Sequence, residues 1–353
     1  MERPTPAPSH WLRSTPFDLT LIGGVLALAL LGGGLGLVHP WLFFVVVALD
    51  LWLLAYPHVA SMYTRLVLDG ESRREHWFLL LGLPPLVFAG TAGVAFAGGA
   101  IAINSIYFVW QTWHYTRQSY GISRAYERTP RPDLVTSCVI YGFPLWGLLN
   151  RASQKPTTFF GSPLYVLSVP RELVLLVGLF ALGSFGLWTY RRIQSREAHR
   201  LGHTLFVLSH VAVTLVSYVA IRDVTQGWLF INVWHNAQYI LFVWAFNARR
   251  FAGGVEAERP FLSSLAQPRN VARYALVCLG LGTAFYSALG GITTAMTWRV
   301  LPLVLVTHQA VNFHHYIVDA IIWRRRQVQG RQSSAKLKST SPLPTTARTS
   351  EGT

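Results

Sequence analysis

The amino-acid sequence predicts an all-α fold, a bundle of about ten transmembrane helices with both termini in the cytoplasm. Three observations support this prediction. Of the 353 residues, 52% are hydrophobic and only 13% are charged, whereas a soluble domain carries about 25% charged residues. The apolar residues stand in runs of roughly 18 or more, the length that crosses a bilayer as a helix. The basic residues gather in the short segments between these runs.

The apolar runs divide the chain into three parts. A cytoplasmic N-terminal segment (1–18) precedes a multi-span membrane domain (19–326), and a cytoplasmic tail (327–353) follows. The tail is rich in Ser, Thr, Lys and Pro and is expected to be disordered. Gly98-Gly99, at the junction of the third and fourth spans, suits close helix packing or a short turn. The predicted spans are 19–38, 41–63, 77–97, 99–117, 134–150, 172–190, 201–221, 226–247, 272–293 and 300–323.

The positions of the basic residues set the predicted orientation. With the N-terminus in the cytoplasm, 25 of the 30 Lys and Arg residues fall in cytoplasmic segments. Cytoplasmic loops of membrane proteins carry this excess of positive charge. The net charge of +15 is therefore explained by membrane topology, and nucleic acid is not an expected partner. The remaining basic residues, on the outside, are Arg151, Lys155, Arg171, Arg222 and Arg299.

Histidine is the chemically active residue that the predicted spans contain most often. Ionisable side chains inside spans are expensive and usually face the bundle interior. One such histidine needs only a hydrogen-bond partner, but eight or nine across five spans require a shared reason. Nine of the twelve histidines lie in or beside spans, namely His58, His114, His199, His203, His210, His235, His308, His314 and His315. Of these, His199 is expected at the membrane interface.

Helical phase places many of these histidines on polar stripes, since residues three, four or seven apart share a helix face. On the tenth span, His308, Asn312, His315 and Asp319 form one stripe, and His314 lies next to it. The other stripes are Asp50, His58 and Ser61 on the second span, Gln111, His114 and Gln118 on the fourth, His203 and His210 on the seventh, and Asn232, His235 and Tyr239 on the eighth.

These stripes predict a metal site made of imidazoles. Only Asp50 and Asp319 are acidic residues within spans, so a carboxylate-bridged di-iron bundle, which needs four Glu residues, is excluded. Imidazole suits iron, copper, zinc and nickel. The expected ligands are His58, His114, His235 and His314, with His203, His210, His308 and His315 as contenders. The side chains expected to support these ligands through hydrogen bonds are Asp319, Gln118, Asn312, Tyr239 and Asp50.

Four short segments combine these histidines with aromatic neighbours. They are Ala55-Tyr56-Pro57-His58, Trp113-His114-Tyr115, Trp234-His235-Asn236-Ala237-Gln238-Tyr239 with Phe242-Val243-Trp244, and His314-His315-Tyr316-Ile317-Val318-Asp319. In type and order they resemble the histidine motifs of the bacterial Brp/Blh-type β-carotene 15,15'-dioxygenases. This resemblance covers about a fifth of the chain. It implies a multi-helix membrane protein that holds iron through histidines and cleaves a carotenoid.

The chain departs from that family at several positions. The family has a second histidine four residues after the one that matches His235, and Tyr239 stands there in this chain. Met62 and Ser119 stand near places where the family has acidic residues. A weaker resemblance, carried by His199-x3-His203 and by the pair at 314 and 315, is to the histidine-box membrane desaturases and hydroxylases.

The sequence therefore favours a membrane-embedded, histidine-ligated non-haem iron oxidoreductase of the oxygenase or desaturase type. Its expected substrate is hydrophobic, such as a carotenoid, an isoprenoid or a fatty acyl lipid, and its expected partners are membrane lipid and an electron donor. The expected location is the inner membrane of a bacterium. One alternative is a haem or quinone redox protein, in which His210 and His314 would form the bis-histidine pair that haem requires. The other is a proton-coupled transporter, because intramembrane His and Asp also form relays.

Overall fold

The computed structural model describes residues 11–195, 200–295 and 302–339, and it is 84% helical with almost no strand. The predicted all-α class is confirmed. The helices are α1 (Thr15–Val38), α2 (Pro40–Val67), α3 (Gly70–Glu75), α4 (Phe78–Glu127), α5 (Leu134–Ser153), α6 (Arg171–Ser195), α7 (Leu201–Ala220), α8 (Val224–Arg250), α9 (Pro260–Leu265), α10 (Val271–Ala295) and α11 (Leu303–Ser339). Two short antiparallel strands, β1 (Thr158–Phe159) and β2 (Ser162–Pro163), form a hairpin between α5 and α6.

Six helices in the described part of the chain are long and apolar enough to cross a membrane: α1, α2, α4, α6, α7 and α10. This supports an integral membrane protein but not, by itself, a count of ten spans. Three predicted spans fall on helices outside this set, α5, α8 and α11. Helix α8 is less apolar because it carries Asn232, His235, Asn236 and Gln238, all of them buried. The polar side chains that make α8 interesting therefore also lower its hydropathy.

Helix α4 is too long for one pass across a membrane. Its 50 residues would extend about 75 Å as a straight helix, against a hydrocarbon thickness of about 30 Å. The helical geometry breaks at Gly99, whose φ of 66° and ψ of −164° are not helical. Glycine adopts positive φ at no steric cost because it lacks a Cβ. The predicted separation of two spans at Gly98-Gly99 thus coincides with a break in the backbone.

Contacts with α11 show that the chain reverses direction at this break. Ala95 and Ile103, on either side of Gly99, both pack with Val306 near the start of α11. The outer ends of α4 meet α11 about two turns further on, where the Leu79 carbonyl contacts His314 and the Trp110 ring stacks on Phe313 with centroids 5.0 Å apart. The two arms of α4 are therefore antiparallel and enclose one face of α11.

One end of the bundle is tied together by ionic and hydrogen-bonded contacts. The Arg128 guanidinium donates to the Trp11 carbonyl at 2.6 Å. Asp69 pairs with Arg250 at 2.7 Å and with Arg259 at 3.0 Å. Burial raises the pKa of Asp69, but the hydrogen bonds and charges of the two arginines outweigh burial and hold the pKa below its ordinary value. These residues all belong to segments that the sequence assigns to the cytoplasm.

The opposite end of the bundle joins the first turns of the fourth predicted span to segments that the sequence assigns to the outside. The Asn104 amide donates to the Pro163 carbonyl at 3.1 Å, and the Phe160 amide donates to the Thr225 hydroxyl at 3.1 Å. The hairpin of β1 and β2 thereby links the turn region of α4 to the start of α8. The segments separate into the same two groups as in the predicted topology.

The C-terminal helix continues beyond the predicted membrane domain. Helix α11 extends to Ser339, so the first thirteen residues of the predicted tail, 327–339, are helical in the structure. This stretch includes Gln, Arg, Lys, Ala and Leu, which have favourable helix propensities, and it continues a helix that is already formed. The remaining tail, 340–353, and the first ten residues of the chain lie outside the described residues.

Candidate metal centre

Three helices bring histidines together in the interior of the bundle. His58 on α2, His114 on α4 and His235 on α8 each offer a ring nitrogen, and these atoms all lie within 4.8 Å of one another. The three side chains are 2–4% exposed. In helix α2 a π-helical segment, Leu51–Ala55, comes directly before Pro57. Proline has no backbone N–H, so a widened turn before it suits the loss of that hydrogen bond and sets the direction of His58.

A fourth imidazole completes the cluster from α11. Nε2 of His315 lies 2.8 Å from Nε2 of His58, and its ring centroid is 4.9 Å from that of His114. Nδ1 of His315 lies 3.1 Å from the Met62 sulfur. We call these residues, His58, His114, His235 and His315, the four-histidine cluster. It draws one imidazole from each of four helices.

Several ring nitrogens of the cluster lack a protein partner. Nδ1 of His58, Nε2 of His114 and Nδ1 of His235 are buried and make no hydrogen bond with the described residues. Leaving a buried polar atom unpaired costs about 1–3 kcal/mol, and most such atoms in proteins are satisfied. Neutral imidazole nitrogens are common metal ligands. The cluster therefore fits a cation that accepts these lone pairs.

The sequence placed His314 in the ligand set, but the structure places it outside the cluster. Its Nε2–H donates to the Leu79 carbonyl at 2.7 Å, and its Nδ1 accepts from the Tyr63 hydroxyl at 2.6 Å. Successive residues of an α-helix point about 100° apart, so His314 faces α2 and α4 while His315 faces the cluster. His315, which shares a stripe with His308 and Asn312, is therefore the histidine of this pair that lies at the cluster, and His314, which the family motif favoured, bonds elsewhere.

The other contenders also have different surroundings. Nε2–H of His210 donates to the Ile140 carbonyl at 3.1 Å. Nε2 of His203 lies 2.9 Å from the Ser123 hydroxyl, and its Nδ1 contacts Arg192. His210 and His314, the pair of the haem alternative, thus bond to different helices. His308 lies on the wall of the cavity described below, and His199 lies outside the described residues.

Asp50 reaches the cluster through two intermediate side chains. Its carboxylate accepts from the Asn232 amide at 2.5 Å and from the Asn236 amide at 3.4 Å. The Asn232 oxygen accepts from the Tyr115 hydroxyl at 2.5 Å, and the Tyr115 ring lies 4.1 Å from that of His235. Asp50 was predicted as a direct hydrogen-bond partner of a histidine. The tyrosine and the asparagine instead connect it to the cluster.

Asp319 is connected in a similar way on the other side. It accepts hydrogen bonds from the Tyr239 hydroxyl and from Trp323 Nε1, the latter at 2.8 Å. The Tyr239 ring lies 4.3 Å from the ring of His58. Tyr239 and Asp319 were both predicted as supporting residues, and they lie beside the cluster as a bonded pair.

The two predicted amides have smaller roles. Gln118 donates to the backbone carbonyl of His235 at 3.3 Å, which ties α4 to α8 beside the cluster. Asn312 donates to Gln309 within α11 at 3.1 Å. Sequence reasoning missed Tyr115 and Tyr316, whose ring stacks on His114 with centroids 4.2 Å apart. Their position next to a motif histidine was the available signal for both.

A small cavity adjoins the four-histidine cluster. It has about 50 Å³ of free volume, and a single water needs roughly 10–15 Å³ of such volume. The residues that line the cavity include His58, His235 and His315 of the cluster and also Tyr56, Tyr286 and His308. Its size suits a few waters or one small molecule beside the cluster.

Comparisons with protein-family models, with curated proteins and with solved structures found no match to this chain. The resemblances noted from the sequence therefore stay expectations, and the function must be argued from the geometry of the site.

Proposed function

We propose that the chain is a membrane-embedded oxidoreductase whose four-histidine cluster binds one non-haem iron ion. The observation that carries this proposal is the convergence of four buried imidazoles, three of them with a ring nitrogen that lacks a partner among the described residues. A site of this composition needs no thiolate and no directly bound carboxylate. The proposed ligands are His58, His114, His235 and His315.

Iron is proposed over other metals because of the surroundings of the cluster. Imidazole alone would also accept zinc, copper or nickel, but a structural zinc site is closed by four protein ligands, whereas this cluster opens onto a cavity. Iron held there would supply the binding and activation of dioxygen. The position of the cluster inside a bundle of long apolar helices favours a hydrophobic substrate, such as a carotenoid, an isoprenoid or a fatty acyl chain, that arrives from the lipid.

The surrounding side chains would hold the imidazoles in place. Metal-bound histidines depend on neighbours that fix their orientation. Tyr239, fixed by Asp319, packs against His58, and Tyr115, fixed by Asn232, packs against His235. When ionised, the two carboxylates would add negative charge near the proposed cation without binding it, and in the low-dielectric interior that charge would favour a divalent ion.

The proposed topology has ten spans with both termini in the cytoplasm of a bacterial cell. It counts the two antiparallel arms of α4 as separate spans and includes α5, α8 and α11. In its favour, the contacts that tie the bundle together at its two ends join the segments in the grouping that the topology requires. The positive-inside rule then assigns the arginine-rich end to the cytoplasm.

The test is metal analysis of the purified protein in detergent. We expect one iron per chain, and we expect His→Ala substitution at 58, 114, 235 or 315 to lower the iron content at least tenfold. His210→Ala is the matched control, because His210 is equally buried but bonds to a carbonyl away from the cluster. Stoichiometric zinc, or a strong Soret band in the visible spectrum, would contradict the proposal. So would equal iron loss in the control.

A further inference from the structure

A second group of polar side chains lines the same cavity as the four-histidine cluster. Tyr56 on α2 stacks on Tyr286 of α10 with ring centroids 4.0 Å apart, and Tyr286 lies 5.6 Å from His308 of α11. All three line the cavity. We call them the Tyr56–Tyr286–His308 group. Three helices contribute one side chain each, so the group depends on the assembled bundle.

Close packing of α10 against α2 brings Tyr56 and Tyr286 together. A Cβ on Gly282 would lie 2.7 Å from the carbonyl carbon and oxygen of Tyr56, which is far inside van der Waals contact. Glycine therefore lets the two helices approach closely at this level. Tyr286 is one turn after Gly282 on the same face, and the close approach lays its ring on Tyr56.

The polar atoms of the group are not used by the protein. Neither phenol hydroxyl, nor the ring of His308, makes a hydrogen bond with the described residues. This contrasts with Tyr63, Tyr115 and Tyr239, whose hydroxyls all bond to other side chains. Polar groups placed around a cavity without internal partners are typical of ligand sites, where a few such groups fix orientation.

The absence of charged side chains from the described cavity wall indicates the charge of the ligand that it suits. The wall contains no Arg, Lys, Asp or Glu side chain among the described residues, so no charged side chain of the cavity would pair with an ionic ligand. Phenol and imidazole can both donate to and accept from a neutral oxygen. The wall also includes the apolar side chains of Leu51, Ala55 and Val59. The matching ligand is neutral and mostly apolar, with one oxygen function.

The group and the cluster lie at two levels of one cavity. His308, Asn312 and His315 share a face of α11 and all line the cavity, and seven residues separate the first from the last, about 10 Å along the axis. A ligand held at His308 would thus be positioned relative to the four-histidine cluster. The cavity is too small for a whole long-chain lipid, so most of such a molecule would lie outside, beside exposed residues such as Trp52 and Phe285.

We propose that the Tyr56–Tyr286–His308 group is a substrate-recognition subsite that binds the hydroxyl or carbonyl oxygen of an otherwise apolar molecule. The inference rests on the proposed function, because it takes the cavity to be the substrate site of that centre. It goes further by naming the substrate class as an oxygenated lipid rather than a pure hydrocarbon. His308 and Tyr286 are the residues that determine this specificity.

The experiment uses the full chain in lipid nanodiscs and a hexadecanol that carries a photoreactive diazirine. Crosslinked peptides are identified by mass spectrometry, and unlabelled hexadecanol and hexadecane compete at equal mole fractions in the bilayer. We expect labelling of the cavity-lining parts of α2, α10 and α11. We expect hexadecanol to compete about tenfold better than hexadecane, the factor for one net hydrogen bond.

Substitutions test whether the Tyr56–Tyr286–His308 group causes the preference for hexadecanol over hexadecane. His308→Leu and Tyr286→Phe should remove the tenfold difference, and His308→Gln, which keeps a donor and an acceptor, should restore part of it. Tyr274→Phe is the control, since Tyr274 is a buried tyrosine of the same helix that bonds to Thr64 and does not line the cavity. Equal competition by hexadecane in the wild type, or discrimination that survives in both His308→Leu and Tyr286→Phe, overturns the proposal.

Each measurement is made on chelator-treated and on iron-loaded protein, and metal content is determined in parallel. Discrimination that persists without metal supports the subsite even if the cluster binds no iron. Iron bound at the cluster without any discrimination leaves the metal proposal standing and rejects the subsite. If His308→Leu does not fold, Tyr286→Phe and Tyr56→Phe, which each remove a single hydroxyl, decide the question.

Discussion

Arg151 and the four-histidine cluster are both buried in the bundle, yet the protein satisfies their nitrogen atoms very differently. The Arg151 guanidinium is 1% exposed and donates to the carbonyls of Ser217 and Arg222 and to the Gln154 side chain. In the cluster, three ring nitrogens have no partner among the described residues. Buried polar groups that the chain satisfies itself are structural. Under the proposed function, a metal ion would take up the unpaired nitrogens of the cluster.

Arg65 is a buried residue of a third kind, because its charge is stabilised by aromatic rings and not by hydrogen bonds. It is also 1% exposed, and its guanidinium nitrogens make no hydrogen bond with the described residues. Its charge lies over the rings of Trp323 at 4.0 Å and Phe246 at 4.7 Å, and such cation–π contacts contribute about 2 kcal/mol when desolvated. An aromatic face can therefore stabilise a buried cation. The histidine cluster differs because its unpaired atoms converge on one point.

The largest expected effect on stability comes from a substitution that disrupts the hydrogen bonds of Arg151. In Gly227→Ala the new Cβ would collide with the Ser217 carbonyl and the Arg151 guanidinium, so α8 must move and the arginine loses its partners. We expect a loss of about 3 kcal/mol of stability, measured by thermal unfolding in detergent. Gly121→Ala on α4 is the control, because a Cβ there meets nothing within 4 Å. The amount of iron bound per folded molecule should not change. A loss of iron in Gly227→Ala but not in Gly121→Ala would show that the surroundings of Arg151 and the four-histidine cluster are not independent.

A smaller loss of stability is expected at His314, and it should distinguish His314 from its neighbour His315. His314→Ala leaves the Tyr63 hydroxyl and the Leu79 carbonyl unpaired, and we expect a cost of about 2 kcal/mol with iron binding retained. His315→Ala removes a proposed ligand and should lose iron, with little effect on the stability of the metal-free protein. Unfolding midpoints and metal content of the two variants are compared side by side. The reverse result, with iron lost only in His314→Ala, would return His314 to the ligand set.

The smallest effect concerns the ion pairs at the arginine-rich end. The pKa of Asp69 is lowered in the folded protein, so its pairs stabilise the protein above the ordinary carboxyl pKa and lose that effect as pH falls below about 4. Asp69→Asn should therefore be less stable than the wild type at pH 7, and the difference should vanish in acid. Unfolding midpoints across pH 3–7 test this. A constant difference over that range would show that charge is not the cause.

The sequence predicted much of this fold because its signals are long. Apolar runs and the alternation of arginines depend on many residues, so the helices lie close to the predicted spans. One feature needed the structure. Two spans were predicted on either side of Gly98-Gly99, but only the structure shows that they belong to one helix, α4, which breaks at Gly99 and packs against α11 with both arms.

The site was predicted less completely because it depends on single side-chain directions. The structure brings His58, His114 and His235 together, and each of them stands on a polar stripe of the sequence. The choice between His314 and His315 depends on about 100° of helical phase, and a motif of two adjacent histidines does not specify it. Tyr115 and Tyr239 lie between the carboxylates and the cluster, and that arrangement requires tertiary packing, which sequence spacing does not encode.

The position of α11 in the chain affects when the site can form during synthesis. His58 and His315 contact each other although they stand 257 positions apart in the chain, and the other two histidines of the cluster lie between them. Chains are made from the N-terminus, so three imidazoles are in the membrane before the fourth is translated. Both arms of α4, which pack against α11 in the complete protein, are also synthesised before it. We therefore expect the cluster to be completed only at the last step, when α11 packs against the earlier helices.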